Sequence, residues 1–197
     1  MLPITPQPVP LADADKILPK ITKLKIRILE NSTVLTIGEK VELLLLLLHK
    51  KWIAEVDIGL SRRDASLAEI RKLELPYRTE SRNGDFQESW IQVGANQAVL
   101  NYVKARHDQL SELEAGILYG FPVTHVLGYI GVIQEKVTPP RDEAMYMLAG
   151  VYSKAHYNEE LAQFHKIWDE VERVSPVIAM ESRDKFIEMR DKYTKKL

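Results

Sequence analysis

Hydrophobic residues recur at every third or fourth position along much of this chain, which is the spacing of one face of an α-helix. The first such stripe is formed by Ile17, Ile21, Leu24 and Ile28. Pro19 suits the first position of a helix, because its missing N–H costs no hydrogen bond there. The pattern therefore predicts a helix over 19–30.

A run of six leucines, from Leu43 to Leu48, forms the longest apolar stretch. Six residues advance about 600° around a helix, so a helix containing them must be covered on every side. Thr36 and Glu39 match a capping box ahead of the run. The run is too short to cross a bilayer, which needs about 20 apolar residues. We expect a central core helix, buried within the chain or shared with a second subunit.

The next segment predicts a small sheet. Trp52–Leu60 could continue the helix, but its β-branched residues favour a strand. Asn83-Gly84 is the dipeptide that a type I′ turn prefers, and it predicts a hairpin over 77–93. Between them, a capping-box match at Ser66 predicts a short helix that begins there and ends near Leu73.

The second half of the chain has helical periodicity throughout. Ser111 and Glu114 match a third capping box, which opens a helix. Residues 142–174 carry two apolar stripes that differ in phase, so we divide this stretch into two helices at Asn158. Ser175-Pro176 has the residues of a helix start and predicts a last helix.

These elements predict a predominantly helical α+β fold, in which a small antiparallel sheet packs with helices and a helical C-terminal half follows. We expect an extended proline-rich arm over 1–15 and an α+β core with the leucine-rich helix over 16–110. A helical region over 111–197 is expected to pack on that core, so that the chain forms one domain overall.

The charges nearly balance, with 27 basic and 28 acidic residues. The net charge of −1 therefore predicts no general attraction to nucleic acids or membranes, and such binding would need a local patch. One basic stripe runs along the first helix and consists of Lys16, Lys20, Lys23 and Arg27. It is either a solvated helix edge or a contact for nucleic acid or lipid headgroups.

The absence of cysteine excludes disulfides, thiolate metal sites, iron–sulfur clusters and thiol catalysis. It is consistent with a reducing cytoplasm. The opening residues MLPITPQPVP contain neither a basic segment nor a continuous apolar segment, so we expect no secretory signal. These features predict a soluble cytoplasmic protein with no membrane partner.

The stretch EAGILYGFPVTHVLGYIG contains a first pair of candidate catalytic residues. Glu114 and His125 could meet across the Gly-Phe-Pro corner as base and acid, with Tyr119 as a binding residue. The structural alternative is that Gly120 ends one helix and Pro122 begins the next. On that alternative, Glu114 serves only as a capping residue.

Four arginines form a second candidate site, for an anion: Arg62, Arg63, Arg78 and Arg82. The planar guanidinium suits carboxylate or phosphate. Nearby acidic residues offer the alternative of surface ion pairs. No two histidines have the spacing of a helical metal pair, and no known phosphate-binding or catalytic motif is present. We therefore expect neither a metal nor a cofactor.

Three functions are consistent with this sequence. The leading hypothesis is a non-enzymatic module that associates with itself or with a protein partner. The second is a hydrolase or transferase for an anionic small molecule, with Glu114 and His125 as catalytic groups. The third is a nucleic-acid-binding module that uses the basic stripe between Lys16 and Arg27.

Overall fold

The computed structural model describes residues 20–59, 62–81, 88–106, 109–137 and 152–194. Its helices are α1 (Lys20–Asn31), α2 (Ile37–Leu47), α3 (Arg63–Lys72), α4 (Gln97–Ala105), α5 (Glu112–Leu118), α6 (Val123–Tyr129), α7 (Tyr157–Val174) and α8 (Pro176–Thr194). Its strands are β1 (Ile53–Gly59), β2 (Tyr77–Ser81), β3 (Glu88–Gly94), β4 (Lys136–Val137) and β5 (Tyr152–Ser153). The predicted α+β, mostly helical fold class is thereby confirmed.

The main sheet has three antiparallel strands in the order β1-β3-β2. Its middle strand sets Ile91 opposite Val56 on one side and opposite Thr79 on the other. β1 confirms the strand predicted after the leucine helix, and the pairing of β2 with β3 confirms the hairpin. The predicted turn at Asn83-Gly84 and the neighbouring Arg82 lie outside the described residues.

The leucine helix α2 forms the centre of the core and is buried within one chain. The side chains from Leu43 to Leu46 are at most 2% exposed. β1 packs against α2, and so do α1 and α8. Ile178 and Ala179 of α8 belong to the same apolar cluster as the leucines. The run of leucines therefore needs no second subunit for its burial.

Two of the predicted capping boxes are present and fix the starts of two helices. At α2, the Thr36 hydroxyl accepts from the Glu39 N–H, and the Glu39 carboxylate accepts from the Thr36 N–H. At α5, Ser111 and Glu114 make the same reciprocal pair. These contacts satisfy backbone donors that a helix start leaves without intrahelical partners.

Two predictions of local structure are wrong. α3 begins at Arg63, so Ser66 lies buried inside the helix instead of capping it. Arg62 stands at the cap position and donates to the Val34 carbonyl (2.9 Å), a tertiary contact that outweighs the local capping pattern. Tyr152–Ser153, predicted as helix, forms β5 and pairs with β4.

Candidate functional site

The Gly-Phe-Pro corner between α5 and α6 docks on the loop that joins α2 to β1. The Trp52 N–H donates to the Leu118 carbonyl (2.8 Å). Gly120 has a positive φ of 84°, and its Cα faces the Lys50 carbonyl oxygen so closely that an added Cβ would lie inside 3.0 Å. The predicted role of Gly120 as a helix stop is confirmed, since only glycine adopts this conformation without a steric penalty.

Glu114 is held by residues at the start of its own helix and by α4. Its carboxylate accepts from the Ser111 N–H (3.0 Å), the Ser111 hydroxyl (2.9 Å) and the Tyr102 hydroxyl (2.9 Å). The Arg106 guanidinium lies 3.5 Å away. These donors, above all the Ser111 N–H, lower the pKa of Glu114. The carboxylate therefore has a complete structural role in joining α4 to α5.

His125 is buried in an aromatic cluster and faces a carboxyl group of α7. Its ring stacks on Phe121 at 5.1 Å and meets Tyr152 and Phe164 edge-on. Its Nδ1 lies 3.6 Å from Glu160 Oε2. Burial lowers the pKa of His125, and the nearby Glu160 carboxylate opposes that shift. The contacts of His125 thus lead to α7, whereas those of Glu114 lead to α4.

Glu160 is the residue that sequence reasoning missed at this place. Glu160 follows His156 by four residues, a spacing typical of a surface ion pair, but that ring lies beside Glu159 instead (3.1 Å). Glu160 is 1% exposed and accepts from the Ser153 N–H (3.2 Å). The sequence does contain an indication that Glu160 is buried. It precedes Phe164 by four residues and therefore lies on the same helix face.

The buried polar group formed by His125, Glu160 and Ser153 is closed to solvent. All three residues are at most 4% exposed. Among the residues that the structure describes, His125 Nδ1, Glu160 Oε1 and Ser153 Oγ have no hydrogen-bond partner. Within the described ranges, no set of three or more acidic or histidine side chains is placed to hold a metal ion. In this conformation the His125 ring is therefore enclosed by protein.

The arginines proposed for an anion contact different elements. The Arg62 guanidinium lies 3.4 Å from the Glu39 carboxylate at the start of α2. Arg63 is the first residue of α3. Arg78 on β2 donates to the Gln92 side-chain oxygen of β3 (2.8 Å). Arg62 and Arg78 each already have a polar partner, and Arg82 lies outside the described residues.

Arg78 and Tyr119, both predicted as binding residues, each bond to a side chain of the main sheet. Arg78 donates to the Gln92 side-chain oxygen on β3. The Tyr119 hydroxyl donates to Glu55 on β1. Burial and the bond to Glu55 raise the pKa of Tyr119, and Gln92 opposes that shift. Glu55, the acceptor from Tyr119, is exposed.

Tyr119→Phe is expected to lower the free energy of unfolding by about 1 kcal/mol, because it removes the hydrogen bond that the Tyr119 hydroxyl donates to Glu55. Chemical denaturation measures the change. Tyr129→Phe is the matched control, since Tyr129 is 63% exposed and the loss of its hydroxyl is expected to have little effect. Equal stabilities of the two variants would show that the bond to Glu55 contributes nothing.

The long helix α8 has apolar residues on two opposite sides. One side, with Ile178, Ala179 and Phe186, is buried against the core and α7. The other exposes Val177 (41%), Met180 (59%) and Ile187 (39%). Met180 and Ile187 are seven residues apart and lie nearly in line along the helix. We call Val177, Met180 and Ile187 with the intervening Arg183 and Asp184 the outer face of α8.

Comparison of the chain with protein-family models, with curated proteins and with solved structures found no match.

Proposed function

We propose that this protein is a non-enzymatic, self-associating module and that two copies pair through the outer face of α8. The observation that supports this is the exposure of Val177, Met180 and Ile187 opposite the buried side of the same helix. Covering an apolar stripe of this kind with a second apolar surface removes it from water, which stabilises the pair of subunits. The leucine helix α2 is already buried within the chain and does not contribute to this interface.

The outer face is complementary to itself when two copies of α8 pair antiparallel about a two-fold axis between Arg183 and Asp184. Met180 then lies opposite Ile187 of the partner subunit. Each of these contacts occurs twice. Arg183 and Asp184 flank this apolar line on opposite sides, and Arg183 donates to Glu172 of α7 (2.8 Å). A two-fold interface requires this self-complementarity, because the same patch serves on both subunits.

The alternative of an acid–base enzyme has weaker support. Its catalytic residues, Glu114 and His125, have separate partners on α4 and α7. Acid–base groups must reach one substrate, and the imidazole is closed to solvent. The contacts of these residues therefore favour a binding function over a catalytic one.

Sedimentation equilibrium over a range of protein concentrations tests the proposal. The wild type is expected to form a dimer, and Met180→Glu or Ile187→Glu is expected to weaken the dimer at least tenfold, since a carboxylate would be buried against an apolar residue. Val132→Glu is the matched control, because Val132 is 66% exposed on another surface. This control is expected to remain dimeric.

A wild type that is monomeric at all concentrations would refute self-association. A dimer unaffected by the Met180 and Ile187 variants would refute the choice of α8.

A further inference from the structure

The first helix of the described chain, α1, is cationic on its exposed side. Ile26 and Leu29 are buried in the core, which fixes the orientation of the helix. The residues on the opposite side are Lys20, Lys23, Leu24 and Arg27, and all four are exposed. They lie at helical spacings of three, four and seven from Lys20, so they share one face. We call these four residues the cationic face.

Among the described residues, the acids near the cationic face do not neutralise it. Within the part of the chain that the structure describes, Lys20, Lys23 and Arg27 have no ion pair with a carboxylate. Lys25 is largely buried and pairs instead with Glu74, two residues beyond the end of α3 (3.8 Å). Glu30, the acid of α1, accepts from the Ser175 hydroxyl (2.6 Å). The face therefore presents three positive charges and no negative one.

Leu24 is the feature of this face that a purely electrostatic contact does not explain. It is 58% exposed and lies among the three cations. An apolar side chain among cations is stabilised where a layer of negative charge covers an apolar layer. A membrane of anionic lipids has that structure, with phosphates outside and acyl chains beneath. Nucleic acids favour aromatic residues for base stacking, and α1 contains none.

We propose that the cationic face of α1 docks this protein on the surface of membranes that contain anionic lipids. Lys20, Lys23 and Arg27 contact headgroup phosphates, while Leu24 enters the boundary between headgroups and acyl chains. This departs from the expectation of no membrane partner, which rested on net charge. Screening limits each charge to a range of about 10 Å, so acidic residues elsewhere do not cancel a local face.

The contact is peripheral and reversible. No helix in the described ranges is both long and apolar enough to cross a bilayer. Each basic residue near an anionic surface strengthens binding roughly fivefold. Three cations and one leucine therefore give weak binding that added salt reverses. The inference does not depend on self-association through α8, although a dimer would present two such faces and bind more strongly.

Co-sedimentation of the full chain with vesicles tests the proposal. Binding is expected to vesicles of phosphatidylcholine with phosphatidylserine, to disappear with phosphatidylcholine alone, and to weaken with salt. Lys23→Gln is expected to weaken it roughly fivefold. Lys25→Gln is the matched control with the same change of charge away from the face, and it is expected to bind within twofold of the wild type.

Leu24→Asn separates the membrane from other anionic partners, because it leaves every charge in place. It is expected to weaken vesicle binding several-fold. Unchanged vesicle binding by this variant would overturn the proposal, as would a wild type that fails to bind phosphatidylserine at low salt. A DNA duplex is tested in parallel: tighter binding to DNA than to vesicles, with no effect of Leu24→Asn, would assign the face to nucleic acid instead. Circular dichroism confirms that each variant is folded.

Discussion

Gly120→Ala is expected to lower the free energy of unfolding by about 2–5 kcal/mol. Part of the loss comes from the backbone, because a residue with a Cβ is strained at the φ of 84° that this position adopts. The rest comes from crowding, since the new methyl group would meet the Lys50 carbonyl oxygen and the Lys51 Cβ at 3.0 Å or less. The Lys50 carbonyl belongs to the backbone and cannot rotate away. Denaturation in urea measures the total.

Two other glycines serve as controls for this prediction. Gly131 has a similar φ of 82° but open space around it, so Gly131→Ala measures the backbone strain alone. Gly38 lies in α2 with open space and no positive φ, so Gly38→Ala is expected to stabilise the protein slightly. If Gly120→Ala costs no more than Gly131→Ala, the corner does not press on the Lys50 backbone.

Acidification below pH 6.5 is expected to destabilise the protein through His125. Burial keeps this ring neutral in the folded state and lowers its pKa below the ordinary value of 6.5. The unfolded chain then binds a proton at a higher pH than the folded chain does. The contribution of neutral His125 to the free energy of unfolding is complete above pH 6.5. It is lost as the pH falls toward the pKa of the folded state, by at most about 1.4 kcal/mol per pH unit.

The groups that surround His125 determine which variants test this prediction. Glu160 supplies the negative charge that partly opposes the shift, while Phe121, Tyr152 and Phe164 supply the apolar walls. Glu160→Gln is therefore expected to lower the pKa of His125 further and to steepen the loss of stability with acid. It also weakens the acceptor of the Ser153 N–H and is expected to cost about 1–3 kcal/mol at neutral pH.

NMR titration of the His125 ring, with denaturation measured between pH 5 and pH 7, tests both expectations. His125→Phe retains an aromatic ring in the cluster and removes the titrating group, so its stability is expected to change less across this range. An identical pH dependence in His125→Phe and the wild type would show that the imidazole is not the acid-sensitive group.

The sequence was sufficient for features that depend on contacts a few residues apart. The capping boxes at Thr36 and Ser111 are local pairs, and both are present. The leucine helix follows from a run of apolar residues that must be covered on all sides. The role of Gly120 as a helix stop follows because the residue after a helix often adopts a positive φ, which glycine tolerates. In each case the cause and the effect lie within one or two helical turns.

The features that the sequence did not predict depend on contacts between distant segments. β5 forms where helical spacing continues, since it pairs with β4 and its Ser153 N–H bonds to Glu160. Tyr119 and Arg78 were singled out separately, but their partners, Glu55 and Gln92, are neighbours only through the register of β1 with β3. No local pattern encodes these distances.

The packing of α8 on α2 has a consequence for the newly made chain. A ribosome adding about 5–20 residues per second reaches Pro176 on the order of ten seconds after Leu47. During that interval the leucine helix has been synthesised, but the helix that completes its cover has not. The leucines are then open to misassociation with other nascent chains, and we expect synthesis in cells to depend on chaperones that shield apolar segments until the last helix emerges.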